Sequence, residues 1–177
     1  MGKKNQIIKI LSGERFTPYT LARKLGAVAL LESSTFEEGR SRYSLLMLKE
    51  AFRISQEGGE VRFRSDGTDD RILSDAQDIL DVLQRFADQH TAPYQDFPFP
   101  AGGIGYLSYE FAARCDTIRF SERVDPLGMP EALFIFGHLF IVFDHYADQL
   151  YLIGLNYEEH EIDLVEALAE TEQRIND

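Results

Sequence analysis

The sequence has little cysteine and no long apolar run, and both shortages limit what the protein can be. Cys115 is the one cysteine in 177 residues, so an internal disulfide is excluded and a reducing compartment is favoured. No stretch approaches the ~20 apolar residues that a membrane span needs, and the N-terminal apolar run is too short for a signal peptide. We therefore expect a cytoplasmic protein with no membrane partner.

Positive charge is also scarce. Eighteen Lys and Arg face 30 Asp and Glu, which gives a formal net charge of −12. A chain of this charge is repelled by a phosphate backbone, so we expect no nucleic-acid partner, although one or two arginines could still bind an anionic metabolite. With 44% hydrophobic residues, the chain is expected to fold as a single domain over residues 1–177.

Catalytic and metal-binding motifs are missing as well. The four histidines have no Cys or His partner at the spacing of a metal site. Gly102, Gly103 and Gly105 do not match a nucleotide-binding loop, and we expect these glycines to permit positive φ and close backbone approach. Ser33 and Ser34 lack the G-x-S-x-G pattern of a hydrolase nucleophile. The chain is therefore either a binding module or one part of a larger enzyme.

The first part of the chain predicts one helix followed by a small antiparallel meander. Thr17 before Pro18 is typical of a helix start, and Gly26 is typical of a helix stop. The runs "AVALLES", "RYSLLML", "AFRIS" and "EVRFRS" predict strands, and Gly58-Gly59 predicts a hairpin turn before the last of them.

The second part predicts a helix, a long hairpin and a final helix. Ser74 and Gln77 form a capping-box pattern, and the helix after them has an apolar face. The runs "EALFIFGHLFIVFDH" and "QLYLIGLNY" predict a buried β-hairpin. The final helix is expected to bury Ile162, Val165, Leu168 and Ala169. Because strands and helices come in groups, the predicted fold class is α+β, with antiparallel sheet and outer helices.

The stretch "LLESSTFEEGRSRYSLL", residues 30–46, carries the polar residues of most interest. An apolar strand ends in Glu32 and Ser33, and a second one begins with Arg42, Tyr43 and Ser44. These residues are either the ordinary polar ends of two strands or the polar contacts of a bound ligand. The residues alone leave both interpretations open.

Four motifs occur here in the order and spacing of one known domain: "LLESS", "GRSRYSLL", "AGGIGYLSYEFAAR" and "DPLGMPEALFIFGHLFIVFDH". Over residues 17–155 the chain resembles the N-terminal domain of anthranilate synthase component I and of its sibling, aminodeoxychorismate synthase component I. The resemblance implies the N-terminal part of a two-sheet sandwich, with a regulatory and scaffolding role in tryptophan biosynthesis.

The same resemblance implies that the chain is part of a lyase that forms anthranilate from chorismate and ammonia. A glutamine amidotransferase subunit would supply the ammonia. A C-terminal chorismate-binding domain, absent from this chain, would carry Mg²⁺ and the chemistry. The chain alone is therefore expected to have no catalytic residue, no metal and no cofactor, and to be inactive.

In the anthranilate branch of this family, the "LLES" and "RYS" segments contribute to a pocket for the feedback inhibitor tryptophan. The resemblance therefore implies that Glu32, Ser33, Arg42, Tyr43 and Ser44 bind tryptophan. Family members often read "GRYSFIG", whereas here "GRSRYSLLMLKE" has two more residues between glycine and tyrosine. Gly39 and Arg40 are accordingly not assigned to the site.

Two alternatives remain. The first is aminodeoxychorismate synthase component I in folate synthesis, although "LLES" favours the anthranilate branch because the sibling often has aspartate there. The second is a stand-alone amino-acid-binding module with no catalytic domain.

Overall fold

The structure is a computed structural model that describes residues 5–12, 16–32, 42–65, 70–73, 78–90, 96–101, 103–121 and 127–177. The strands are β1 (Gln6–Ser12), β2 (Ala29–Leu31), β3 (Tyr43–Glu57), β4 (Glu60–Ser65), β5 (Arg71–Ile72), β6 (Ile104–Leu107), β7 (Ala132–Asp144) and β8 (Gln149–Leu155). The helices are α1 (Pro18–Leu25), α2 (Ile79–Asp88), α3 (Ala112–Cys115) and α4 (Leu164–Asn176), with a 3-10 turn at Tyr109–Phe111 before α3. No helix in these ranges is both long and apolar enough to cross a membrane.

The eight strands form one curled antiparallel sheet around the long strands β3 and β7. The start of β3 pairs with β2. The end of β7 pairs with β8, and β8 also pairs with β1. Together these strand segments are called the front half of the sheet. The end of β3 pairs with β4, and β4 also pairs with β5. The start of β7 pairs with β6. Together these strand segments are called the back half of the sheet. Register shifts between Met47 and Phe52 separate the halves. Such shifts increase local twist, which explains the curl.

Two apolar clusters cover opposite faces of the sheet, because neighbouring residues of a strand point to opposite sides. On one face of the front half, α1 and α4 contribute Leu21 and Leu168 to a cluster with Leu46 and Phe143. On the other face, the ring of Phe86 from α2 lies 4.7 Å from Phe52. Burying a side chain of this size stabilises the fold by about 1.5 to 3 kcal/mol. The predicted fold class, α+β with antiparallel sheet and outer helices, is confirmed.

Helix α1 begins and ends at the predicted residues. The Thr17 hydroxyl accepts a hydrogen bond from the backbone N–H of Thr20 at 3.2 Å, and Pro18 occupies the first turn. Gly26 ends the helix with φ 71°, a conformation that glycine adopts without steric cost. The hairpins at Gly58-Gly59 and between β7 and β8 are also confirmed.

The strands differ from the sequence prediction in two places. No strand was predicted before Thr17, but residues 6–12 form β1 along the edge of the sheet. "RYSLLML" and "AFRIS" are not two strands but one, β3, because the chain passes the register shifts without a turn. Cys115 is exposed.

The helix boundaries and faces differ in two places. Helix α2 is confirmed, but Asp78 and Asp81 form its capping box, and the predicted cap Ser74–Gln77 lies outside the described residues. In α4, Leu168 is buried as expected, whereas Val165 is 65% exposed. The buried residues of α4 are Leu164, Leu168, Thr171 and Ile175, so the face that meets the sheet is rotated from the predicted one.

Gly103 and Gly105 lie where strand β6 approaches β7. A Cβ atom on Gly103 would stand 2.7 Å from the carbonyl oxygen of Ile135, and the residue has φ 75°. A Cβ atom on Gly105 would stand only 2.1 Å from the carbonyl oxygen of Leu133. The expectation of close backbone approach is confirmed for these two glycines, while Gly102 lies outside the described residues.

His138 is a fully buried side chain on β7. Its Nδ1 lies 2.7 Å from the carbonyl oxygen of Leu155, which can only accept, so Nδ1 carries the hydrogen. Its Nε2 therefore accepts a hydrogen bond from Nδ1 of His160, at 2.7 Å. Burial is the main cause that lowers the pKa of His138 to about 4; the nearby His160 and Lys49 act in the same direction, and the hydrogen bond to Leu155 opposes them.

We expect this histidine to make the protein less stable in mild acid. Its pKa in the folded protein is about 4, against about 6.5 in an unfolded chain, so the unfolded state takes up the proton first. The contribution of neutral His138 to the free energy of unfolding is complete above pH 6.5. It is lost as the pH falls towards 4, which lowers the free energy of unfolding by about 3 kcal/mol. Urea unfolding of the wild type and of His138→Gln across this range measures the difference. Parallel stability curves for the two proteins would contradict the assignment.

Candidate ligand site at the ends of strands β2 and β3

The residues assigned to the site lie at one end of the front half of the sheet. Glu32 directly follows β2, and Arg42 directly precedes β3, whose first residues are Tyr43 and Ser44. Leu31 pairs with Leu45, so continuing the antiparallel register by one residue places Glu32 opposite Ser44. Four of the five assigned residues are therefore neighbours, and the fifth, Ser33, lies outside the described residues.

Arg42 has an internal partner that the sequence did not reveal. Its guanidinium donates hydrogen bonds to Asp144 at the end of β7: Nε donates to Oδ1 at 3.0 Å and to Oδ2 at 3.1 Å, and Nη2 donates to Oδ2 at 2.6 Å. The Asp144 side chain is 0% exposed, whereas that of Arg42 is 41% exposed. Hydrogen bonding from Arg42 lowers the pKa of Asp144, so this carboxyl group is ionised at neutral pH. The guanidinium is thus held at the edge of the site with one side towards solvent.

Two tyrosine rings flank this guanidinium. Its central carbon lies 4.8 Å from the ring centroid of Tyr43 and 5.8 Å from that of Tyr146, within the range of cation–π attraction. The Tyr43 hydroxyl donates a hydrogen bond to the backbone oxygen of Asp96. Burial raises the pKa of Tyr43, so its hydroxyl stays protonated and can donate this bond. Tyr146 is 88% exposed and leaves its ring available to solvent or a ligand.

Ser44 is buried and bound to the turn between β7 and β8. Its Oγ lies 2.8 Å from Nε2 of His145, and the backbone N–H of His145 donates to the backbone oxygen of Arg42 at 2.9 Å. Ser44 is 2% exposed, so neighbouring side chains cover its hydroxyl. Sequence reasoning found the β7–β8 hairpin but did not connect Asp144, His145 and Tyr146 with the site.

Apolar side chains lie beside the polar ones. Leu31, next to Glu32, is 52% exposed, and its partner Leu45 on β3 is partly buried. Nearby, Phe97 stacks on Tyr151 with the ring centroids 4.0 Å apart. Glu32 is exposed. A carboxylate next to an apolar strand end can bind a ligand that has a cationic group and an apolar body.

The described residues also form a groove of about 410 Å³ at another place, between α2, β5 and the residues after β8. Its lining includes Arg71, Arg85, Gln89, Glu158 and Glu159, and none of the residues assigned to the ligand site.

Within the described ranges, no three His, Cys, Asp or Glu side chains are grouped to hold a metal ion.

The curled antiparallel sheet with its few helices defines an α+β fold that has a solved counterpart. It matches the crystal structure of anthranilate synthase component I from Streptococcus pneumoniae TIGR4 with a TM-score of 0.60 and 19% sequence identity. The match covers 96% of this chain and 37% of that one. At this identity the likeness shows the fold alone.

Sequence comparison defines the relationship. The chain is 59% identical over 172 residues to "Anthranilate synthase component 1" from Spirochaeta aurantia, which is 97% of this chain and 36% of that protein. It is 32% identical over 159 residues to the protein of the same name from Thermus thermophilus, covering 82% of this chain and 31% of that protein. No protein-family model matches the chain. The chain is a homologue of anthranilate synthase component 1 and spans about a third of the length of these relatives.

Proposed function

We propose that this chain is the N-terminal regulatory and scaffolding domain of an anthranilate synthase large subunit. In this proposal the whole protein is a cytoplasmic lyase that forms anthranilate from chorismate and ammonia. The chain itself supplies the site at which tryptophan inhibits the enzyme. The identity of 59% over nearly the whole chain with a protein of that name carries the proposal.

The arrangement at the ends of β2 and β3 supports the regulatory role. Tryptophan has an ammonium group, a carboxylate and an apolar indole ring. Glu32 can bind the ammonium group, and the solvent-facing side of the Arg42 guanidinium can bind the carboxylate. Leu31 and Tyr43 can contact the indole ring, which gains most from an apolar or aromatic wall. The exposed groups therefore match the ligand group by group, and Ser33 would add a hydroxyl donor. Ser44 is buried and bonded to His145, so it would support the site from behind.

The chemistry would reside in the rest of the longer protein. A C-terminal chorismate-binding domain would hold Mg²⁺ through its own glutamates, and an amidotransferase subunit would deliver ammonia from glutamine. This division of labour agrees with the chain spanning 36% of the Spirochaeta aurantia relative. It requires no catalytic group, metal or cofactor in residues 1–177.

The relatives described above also bear on the two alternatives. Both carry the anthranilate name, which supports this branch over aminodeoxychorismate synthase. A stand-alone amino-acid-binding module is separated from both enzymes by reading the gene beyond the codon for Asp177. An open reading frame that continues into a chorismate-binding domain would eliminate the stand-alone module.

We expect the chain alone to form no anthranilate. The physical reason is that residues 1–177 would lack the domain that binds the ring and its metal. The purified chain is incubated with chorismate, Mg²⁺ and an ammonium salt, and anthranilate is followed by its fluorescence. A sample without protein serves as the blank. Turnover above this blank would overturn the division of roles between the two domains.

A further inference from the structure

We propose that Asp144 is a positioning residue for the ligand site: its buried carboxylate fixes the start of β3, and with it Arg42, Tyr43 and Ser44, against the β7–β8 turn. The inference rests on the proposed function, because the site that Asp144 would organise is the proposed tryptophan site. Asp144 would not touch the ligand itself.

The Asp144 carboxylate joins two separate parts of the chain. From one side it accepts hydrogen bonds from Nε and Nη2 of Arg42. From the other side Oδ1 accepts from the backbone N–H groups of Tyr146 and Ala147, both at 3.1 Å. A fully buried carboxylate is stable only when such donors surround it, so both parts of the chain are held at hydrogen-bond distance.

The same turn also contacts three consecutive residues of the site. Asp144 binds the side chain of Arg42 and is the register partner of Tyr43. His145 donates its backbone N–H to Arg42 and contacts the hydroxyl of Ser44. A change at Asp144 therefore acts on all three positions together.

Asp144 also orients the side chain of Arg42. An arginine at a strand end has many side-chain conformations, and a bidentate bond to a carboxylate selects one of them. With Asp144 on one side and the tyrosine rings at 4.8 and 5.8 Å, the guanidinium is oriented before a ligand arrives. An Arg42 side chain that is already oriented raises the affinity for the ligand, because less conformational entropy is lost when the ligand binds.

The test is a titration of the ¹⁵N-labelled chain with tryptophan, up to about 10 mM, followed by the amide signals of Glu32 and Ser44. Asp144→Asn keeps the shape of the side chain but removes its charge, and we expect it to weaken tryptophan binding at least about tenfold. Asp148→Asn is the matched control in the same turn, because Asp148 has φ 53° and asparagine tolerates that conformation equally well. Its affinity should stay within about twofold of the wild type.

Two further variants make each result decisive. Arg42→Lys retains the positive charge but cannot form the bidentate pair, so it should weaken binding in the same direction even if Asp144→Asn does not fold. Glu32→Ala tests the site itself. If Glu32→Ala weakens binding and the folded Asp144→Asn and Arg42→Lys proteins bind as the wild type does, the positioning role is overturned and the proposed function stands. If tryptophan shifts neither Glu32 nor Ser44 in the wild type, both are overturned.

Discussion

Gly105→Ala is expected to lower the free energy of unfolding by about 3 kcal/mol or more, a large part of the total stability of a domain. The new methyl group would lie 2.1 Å from the carbonyl oxygen of Leu133 and 2.6 Å from the ring of Phe134. A side chain could rotate away, but a backbone oxygen cannot, so β6 would have to separate from β7. Urea unfolding at neutral pH measures the loss.

Gly128→Ala is the control for this prediction. Gly128 has φ 60°, and no atom lies within 4 Å of the position that a Cβ would take. Alanine there meets only the backbone penalty of a positive φ, about 1 kcal/mol. An equal loss of stability in the two variants would show that the β6–β7 contact is not as tight as described.

Glu32→Ala in the full-length protein is expected to relieve inhibition by tryptophan without changing the ammonia-dependent rate. In the complete site, Glu32 would form a hydrogen-bonded ion pair with the ammonium group of tryptophan. Losing a hydrogen bond to a charged group costs about 1.5 to 3 kcal/mol, which raises the inhibition constant roughly tenfold to a hundredfold. Ser33→Ala is expected to act in the same direction.

Glu170→Ala, on the exposed side of α4, is the charge-matched control. It removes a carboxylate far along the chain from the site and should leave the inhibition curve unchanged. Curves for Glu32→Ala that superimpose on those of the wild type would remove Glu32 from the tryptophan site. A parallel fall in the catalytic rate would point to a structural effect instead.

Local signals in the sequence were sufficient for some elements and insufficient for others. Helix α1 was predicted correctly because Thr17 and Gly26 act on their own neighbours, at both ends of the helix. Strand β1 was missed because its residues are stabilised by pairing with β8, which is more than 130 residues away in the chain. Strand β3 was predicted as two strands because the polar residues at a register shift resemble those of a turn in the sequence.

The difference between local signals and long-range pairing also explains which residues of the ligand site could be predicted from the sequence. Glu32 and Ser44 could be proposed together because a family resemblance linked their two motifs. Asp144 could not, because its relation to Arg42 depends on the pairing of β3 with β7, a long-range register that no local pattern encodes. Its sequence context, a polar residue before a hairpin turn, is also typical of residues that only bind the turn backbone.

The most direct test of the central claim is a calorimetric titration of the 177-residue chain with tryptophan. If another domain covers one side of the indole ring, about 100 Å² of apolar surface stays exposed in the isolated chain, which forfeits about 2.5 kcal/mol. Lost polar partners add to this, so a site of micromolar affinity in the whole protein would have a dissociation constant of roughly 0.1 to 1 mM here. The account predicts a value in that range, abolished by Glu32→Ala. A low micromolar constant would show that the chain forms a complete site alone, and the absence of any binding heat up to about 10 mM would contradict a tryptophan site in this chain.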